Sequence, residues 1–282
     1  MASRVCILTD STAQFTSAHF PGQELVKVIP LQIHFNGKHY PDSRDLKLKD
    51  LPITIYDASH PRLIPPTSDD FRQAYLSLEE EFDEIITVLL SANLSPSIVN
   101  AKEAATSLLG KVSLQIIDSR SIGVGLGLLV QTIAEALHNG VSSLEVHLLA
   151  SNLIRHLYSF FCVQSLTYLC RTAHLDPAQA LVGEMLGIIP VIILENGRLM
   201  PIQKAHSPRQ MVDLLYEFVS EFGALQHITL IKGTISFDQG TRHIRERISE
   251  IFPTTSYSEH TLDIALACML GPCSLGLVAL ED

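Results

Sequence analysis

The sequence predicts an α/β protein of two domains, with a mainly parallel sheet in the N-terminal domain and mixed α/β structure in the C-terminal one. Three observations carry that reading. Short apolar runs at 5–9, 85–90, 112–117, 190–194, 227–231 and 275–280 alternate with helical patterns, which is α/β order. The runs are continuous where a half-exposed strand would alternate, so the strands are expected to be covered on both faces and joined by helical crossovers. Strand–helix units fill the chain up to residue 160, and a helix, a hairpin and mixed elements follow. The expected division is therefore 1–160 for the N-terminal domain and 161–282 for the C-terminal one, ordinary sizes for compact domains.

Taken in order, "VCILT" is the first strand and ends in the turn Thr9-Asp10-Ser11-Thr12. Residues 36–66 have weak periodicity and several prolines, and are expected to run as an excursion over the first sheet. Thr67 or Ser68 can cap a helix whose first turn holds Asp69 and Asp70, where acidic side chains suit the helix dipole. The run at 85–90 breaks into Ser91-Ala92-Asn93 and a proline turn before "SIVNAKEAA" resumes a helical pattern. Asp118-Ser119-Arg120-Ser121 closes the third strand, and "IGVGLGLLVQTIAEAL" from Ile122 reads as a buried helix whose glycines allow close packing. Residues 142–170 offer no Gly/Pro linker. Asp176 and Pro177 open a further helix that Gly187 stops, and Asn196-Gly197 between two apolar runs signals a hairpin.

Composition excludes several functions. With a formal net charge of −10 and no Lys/Arg-rich stretch, the chain lacks the electrostatic footprint of a nucleic-acid binder or an anionic-membrane binder. The Ile122 segment carries Gln131 and Glu135 and is too short to span a bilayer, so no integral membrane protein is expected. Five scattered cysteines without Cys-x-x-Cys fit reduced thiols, and the N-terminal apolar run is too short for a secretory signal; a cytoplasmic location is expected. There is no phosphate-loop motif and no His-Glu-x-x-His, and "GPCSLG" misses the nucleophile-elbow spacing by one position. "GVGLG" likewise misses the dinucleotide fingerprint. The twelve histidines show no ligand-like spacing, so neither a metal nor a cofactor is expected.

The strand-end loops remain, because open α/β sheets bind ligands outside the carboxyl ends of their strands. Asp10, Ser11 and Thr12, then Ser91, Ala92 and Asn93, then Asp118 and Ser119 could line one crevice. Their hydroxyls and backbone N–H groups suit a carboxylate or phosphate oxygen. The competing reading is that these residues merely cap the following helices. A third is a small-molecule hydrolase using Asp10, Ser11 and Asp118, although no histidine lies beside them in sequence to activate a serine.

The order of these blocks resembles the DegV family. "ILTDSTAQF" is similar to its opening strand and Asp-Ser-Thr turn, and "VIPLQIHFNGKHYPD" to its next block. "LLSANLSPSIVNAKEAA" resembles its Ser-Ser-Gly-Leu-Ser-Gly-Thr loop and helix, and "IIDSRSIGVGLGLLV" its Asp-Ser segment with Gly-x-Gly. "SLTYLCRTAHLDPAQALVGEMLGIIPVIILENGRLMPIQK" and "GPCSLGLVAL" match the second domain, so the likeness spans nearly the whole chain. It implies a two-domain protein that does no catalysis alone and holds a long-chain fatty acid in a buried tunnel between the domains. In several bacteria such proteins are the lipid-binding subunit of a fatty acid kinase, presenting the carboxyl group to a separate ATP-binding subunit.

The resemblance assigns the head group to the Ser91 hydroxyl and the Ala92 amide. An ungapped match at Asp70-Phe71 puts Leu63 at the position of the family's carboxylate-binding threonine, whereas a gapped match nominates Thr67. "MLGPC" puts Met269 where the family has a head-group histidine, and His174 in "TAHL" stands where an arginine is implicated in kinase contact. Neither a leucine nor a thioether donates a hydrogen bond, so a carboxylate here would depend on Ser91, the Ala92 amide and Thr67, or bind protonated. The alternative is a family member with an altered head-group site that takes a different lipid or none.

Overall fold

The computed structural model describes residues 4–55, 60–108, 113–172, 175–234 and 238–282. The chain forms two compact units. The first contains β1 (Val5–Asp10), β2 (Val26–Ile29), β3 (Gln32–Phe35), β4 (Lys38–Tyr40), β5 (Arg62–Ile64, shared with the second unit at Arg62), α1 (Ser68–Glu79), β6 (Glu84–Leu89), α2 (Ser97–Thr106), β7 (Ser113–Asp118), α3 (Val124–His138) and α4 (Ser143–Arg155). The second contains β8 (Leu157–Cys162), α5 (Leu166–Thr172), α6 (Pro177–Met185), β9 (Ile189–Glu195), most of β10 (Arg198–Ala205), α7 (Pro208–Ser220), β11 (Leu225–Lys232), α8 (Asp238–Ile251), β12 (Ser256–Thr261), α9 (Ile264–Leu270) and β13 (Leu275–Glu281). All six apolar runs form strands.

In the first unit the sheet order is β2-β1-β6-β7 and every pairing is parallel. Side chains alternate across a strand, so Cys6 and Leu8 of β1 and Ile85 and Leu89 of β6 share one face. On it they bury Phe71 and Tyr75 of α1 and Ile98, Ala101 and Ala104 of α2 in one core. α3 packs on β1 and β6. Its Gly127 permits that approach: a Cβ there would lie 2.0 Å from the carbonyl oxygen of Gln14. The glycines of "GVGLG" therefore serve packing.

The second unit has a six-stranded sheet in the order β10-β9-β8-β13-β11-β12. It is mixed: β11 and β12 are parallel, while β13 runs antiparallel to both β11 and β8, and β8 to β9. Met211, Leu215 and Val219 of α7 and Ile244 and Ile248 of α8 cover Ile228, Leu230, Leu277 and Ala279 in its core. Asp176 caps α6 by accepting from the Ala178 and Gln179 amides, with Pro177 at the first position.

The units differ from the expected halves in three places. The division falls at Arg155/His156, because residues 142–170 resolve into α4, the unforeseen strand β8 and α5. Of the segment expected as an excursion over the first sheet, the described residues from Leu46 to Arg62 group with the second unit. Backbone groups draw them there: the Ile55 amide donates to Thr167 Oγ1 at 3.0 Å, and the Tyr168 hydroxyl donates to the Pro52 carbonyl at 2.7 Å. Conversely, the hairpin tip 196–198 belongs to the first unit. Among the described residues no helix is long and apolar enough to cross a membrane.

Candidate functional site

From β1 the chain goes to β2 on one side and returns as β6 on the other, so the sheet's switch point lies at the carboxyl ends of β1 and β6. Asp10 ties these ends together. Its fully buried carboxylate accepts from the Thr12 amide at 3.0 Å, from the Thr12 hydroxyl, and from the Leu90 amide of the β6 loop at 2.8 Å. Burial pushes the Asp10 carboxyl up from its ordinary range, and these bonds act against the rise. Ser11 is equally committed: its hydroxyl accepts from the Leu31 amide at 2.8 Å and lies 3.0 Å from the Ser43 hydroxyl. Asp10, Ser11 and Thr12 thus hold the loop in shape.

The Ser91 turn is organised by its neighbours. The Ser91 amide donates to the Ser121 carbonyl at 2.9 Å, and the Ser91 carbonyl accepts from the Leu94 and Ser95 amides. The buried Ser91 hydroxyl donates to the Gly197 carbonyl at 2.8 Å and accepts from the Asn93 amide at 3.1 Å. The Ala92 amide donates to Asp118 Oδ1 at 3.2 Å, an oxygen that also accepts from the Arg120 amide at 2.9 Å. Ser119 braces its own loop, donating to the Ser121 carbonyl and accepting from the Ser121 amide. The Ser121 hydroxyl is buried and has no hydrogen-bond partner among the described residues.

Residues 196–198 close over this turn. Asn93 Nδ2 donates to the Asn196 carbonyl at 3.0 Å, Arg198 Nε donates to Asn93 Oδ1 at 3.2 Å, and the Arg120 guanidinium reaches Asn196 Oδ1 at 3.5 Å. Asn196 and Gly197 have φ of 49° and 77°, the paired positive values of a type I′ turn. A Cβ on Gly197 would lie 2.2 Å from Ser91 Oγ, so only glycine brings the tip this close.

Leu63 is half-buried in β5, and Thr67 is exposed in a capping box with Asp70, its hydroxyl donating to Asp70 Oδ2 at 2.7 Å. Met269 is buried in α9 of the second unit, and His174 lies outside the described residues. Among the described residues no cluster of three or more His, Cys, Asp or Glu could hold a metal ion. Sequence reading missed the parts played by Asp118, Arg120, Asn196 and Gly197; the Asn-Gly pair announced a turn but not what the turn touches.

A parallel four-stranded sheet with three hydroxyl-rich strand-end loops, together with a unit built on a mixed six-stranded sheet, defines a two-unit α/β class of protein. The chain belongs to the DegV family: its family model, described as an uncharacterised protein family, matches residues 4–282. A DegV domain-containing protein of Staphylococcus aureus (strain COL) is 25% identical over 276 residues, covering 98% of each chain. Among solved structures, a fatty-acid-binding DegV family protein from Thermus thermophilus aligns with a TM-score of 0.83 at 23% identity, covering 99% of this chain and 100% of that one. The Streptococcus pneumoniae Fatty Acid Kinase (Fak) B3 protein loaded with linoleic acid aligns with a TM-score of 0.84 at 22% identity, again covering 99% and 100%.

Proposed function

We propose that this protein binds a long-chain fatty acid or a similar single-chain amphiphile, with the head group at the Ser91 turn. The observation that carries the reading is the end-to-end likeness to DegV proteins solved with fatty acids, in a chain whose Ser91 turn lies at the sheet's switch point. Mass spectrometry of an organic-solvent extract from the purified protein, run against an unrelated protein from the same host, tests it. A lipid present at close to one per chain is expected; an extract indistinguishable from the control sinks the reading.

A second step, presentation of the head group to an ATP-dependent kinase subunit, draws support from the name of the Streptococcus pneumoniae relative. His174 is then the proposed contact, by its position in the family motif. Addition of a fatty acid kinase ATP-binding subunit with ATP should give lipid-dependent ATP turnover, and its absence removes this step alone. Cytoplasmic residence is part of the proposal and is supported by five unpaired cysteines.

A further inference from the structure

We infer that the Ser91 turn recognises a head group that donates a hydrogen bond, an un-ionised carboxyl or a hydroxyl, in preference to a carboxylate. The inference rests on the lipid-binding reading and specifies its ligand. A hydroxyl has one proton and two lone pairs. Ser91 gives its proton to Gly197 and one lone pair to the Asn93 amide, so one lone pair is left. Every backbone N–H from Ser91 to Ser95 already has an internal acceptor: the Ser121 carbonyl, Asp118, the Ser91 hydroxyl and, twice, the Ser91 carbonyl. The turn can accept and has nothing left in its backbone to donate.

Two features make this a property of the sequence. Gly197 has a φ of 77° and no Cβ, which lets its carbonyl reach the Ser91 proton. Asp118 sets a carboxylate against the Ala92 amide, the group an incoming anion would use, so that amide is already spent. Thr67, the other nominated donor, spends its hydroxyl proton on Asp70. The remaining donors near the turn are the Ser121 hydroxyl, which the test below probes, and those on Asn93, Arg120 and Arg198, exposed residues tied to one another through the hairpin tip.

The test titrates the delipidated protein with palmitic acid and with the matching fatty alcohol across the neutral pH range. The alcohol is expected to bind at least as tightly as the acid and without pH dependence, while affinity for the acid falls about tenfold per pH unit above the ionisation range of the free acid, for as long as the bound acid keeps its proton. Ser91→Ala should weaken the alcohol about tenfold, the worth of one buried hydrogen bond. Gly197→Ala, checked for a native circular dichroism spectrum, should push the tip off Ser91, free its proton and shift preference toward the acid. Tighter, pH-independent binding of the acid by the wild type overturns the inference, and loss of that binding in Ser121→Ala would assign the donor to Ser121. An unchanged preference in folded Gly197→Ala also overturns it. Failure of both ligands to bind removes the lipid-binding reading itself.

Discussion

Glu259 shows how one side chain sets acid stability. Partial burial would raise its carboxyl, but bonds from Lys232, Tyr257 and Arg245 outweigh that and hold it at about 2. A carboxyl depressed on folding contributes stability above its unfolded pKa, and the contribution fades as pH falls toward the folded value. His227 and His260 act in an earlier window: burial depresses both, and His227 is bonded to the Ser258 hydroxyl at 2.9 Å. Their neutral forms are favoured in the fold, so stability declines as pH drops below the ordinary histidine range. Thermal melts should therefore fall in two stages on acidification, and Glu259→Gln should shrink the lower stage, to which Asp42 also contributes, at a cost of about 1–2 kcal/mol near neutrality. A single acid transition unaffected by that substitution would contradict the account. At this scale the sequence was legible where chemistry is local: Thr67 with Asp70, and Asp176 with Pro177, form the caps their spacing implies. The use of Asp118 and Gly197 at the Ser91 turn was not legible, because their partners lie 26 and 106 residues away.

At the scale of elements, continuous apolar runs located the buried strands, and three kinds of strand escaped. β12, "SYSEHT", is a polar edge strand, so it lacks the apolar signal. β8 follows α4 without a glycine or proline to punctuate the change. The β3–β4 hairpin turns on Asn36-Gly37, with φ of 50° and 71°, the same chemistry as Asn196-Gly197 but between strands too short to show periodicity. The close approach of α3 gives a prediction for this scale. Gly127→Ala should destabilise the protein by about 1–3 kcal/mol, because the new methyl meets backbone at Gln14 and the helix must shift. Chemical denaturation measures it, and a neutral result would mean that α3 slides freely on the loop after β1.

For the whole molecule, each unit has its own core, and each takes in a segment from the other's length of chain. A fragment of 156–282 lacks residues 46–62, so the Thr167 and Tyr168 hydroxyls lose their partners at Ile55 and Pro52. That fragment should melt without a cooperative transition, and co-expression with 1–155 should restore one; a fragment that folds alone would show the segment to be dispensable. The six apolar runs and the Asn-Gly turn sufficed to recognise two α/β halves, but the exchange of segments depends on single hydrogen bonds that no periodicity records. The hairpin tip carries a consequence for biosynthesis. Ser91 leaves the ribosome well before Gly197, and at roughly 5–20 residues per second the gap lasts several seconds or more. Throughout that interval the nascent N-terminal unit holds an unfinished turn, its serine proton without the carbonyl that later receives it.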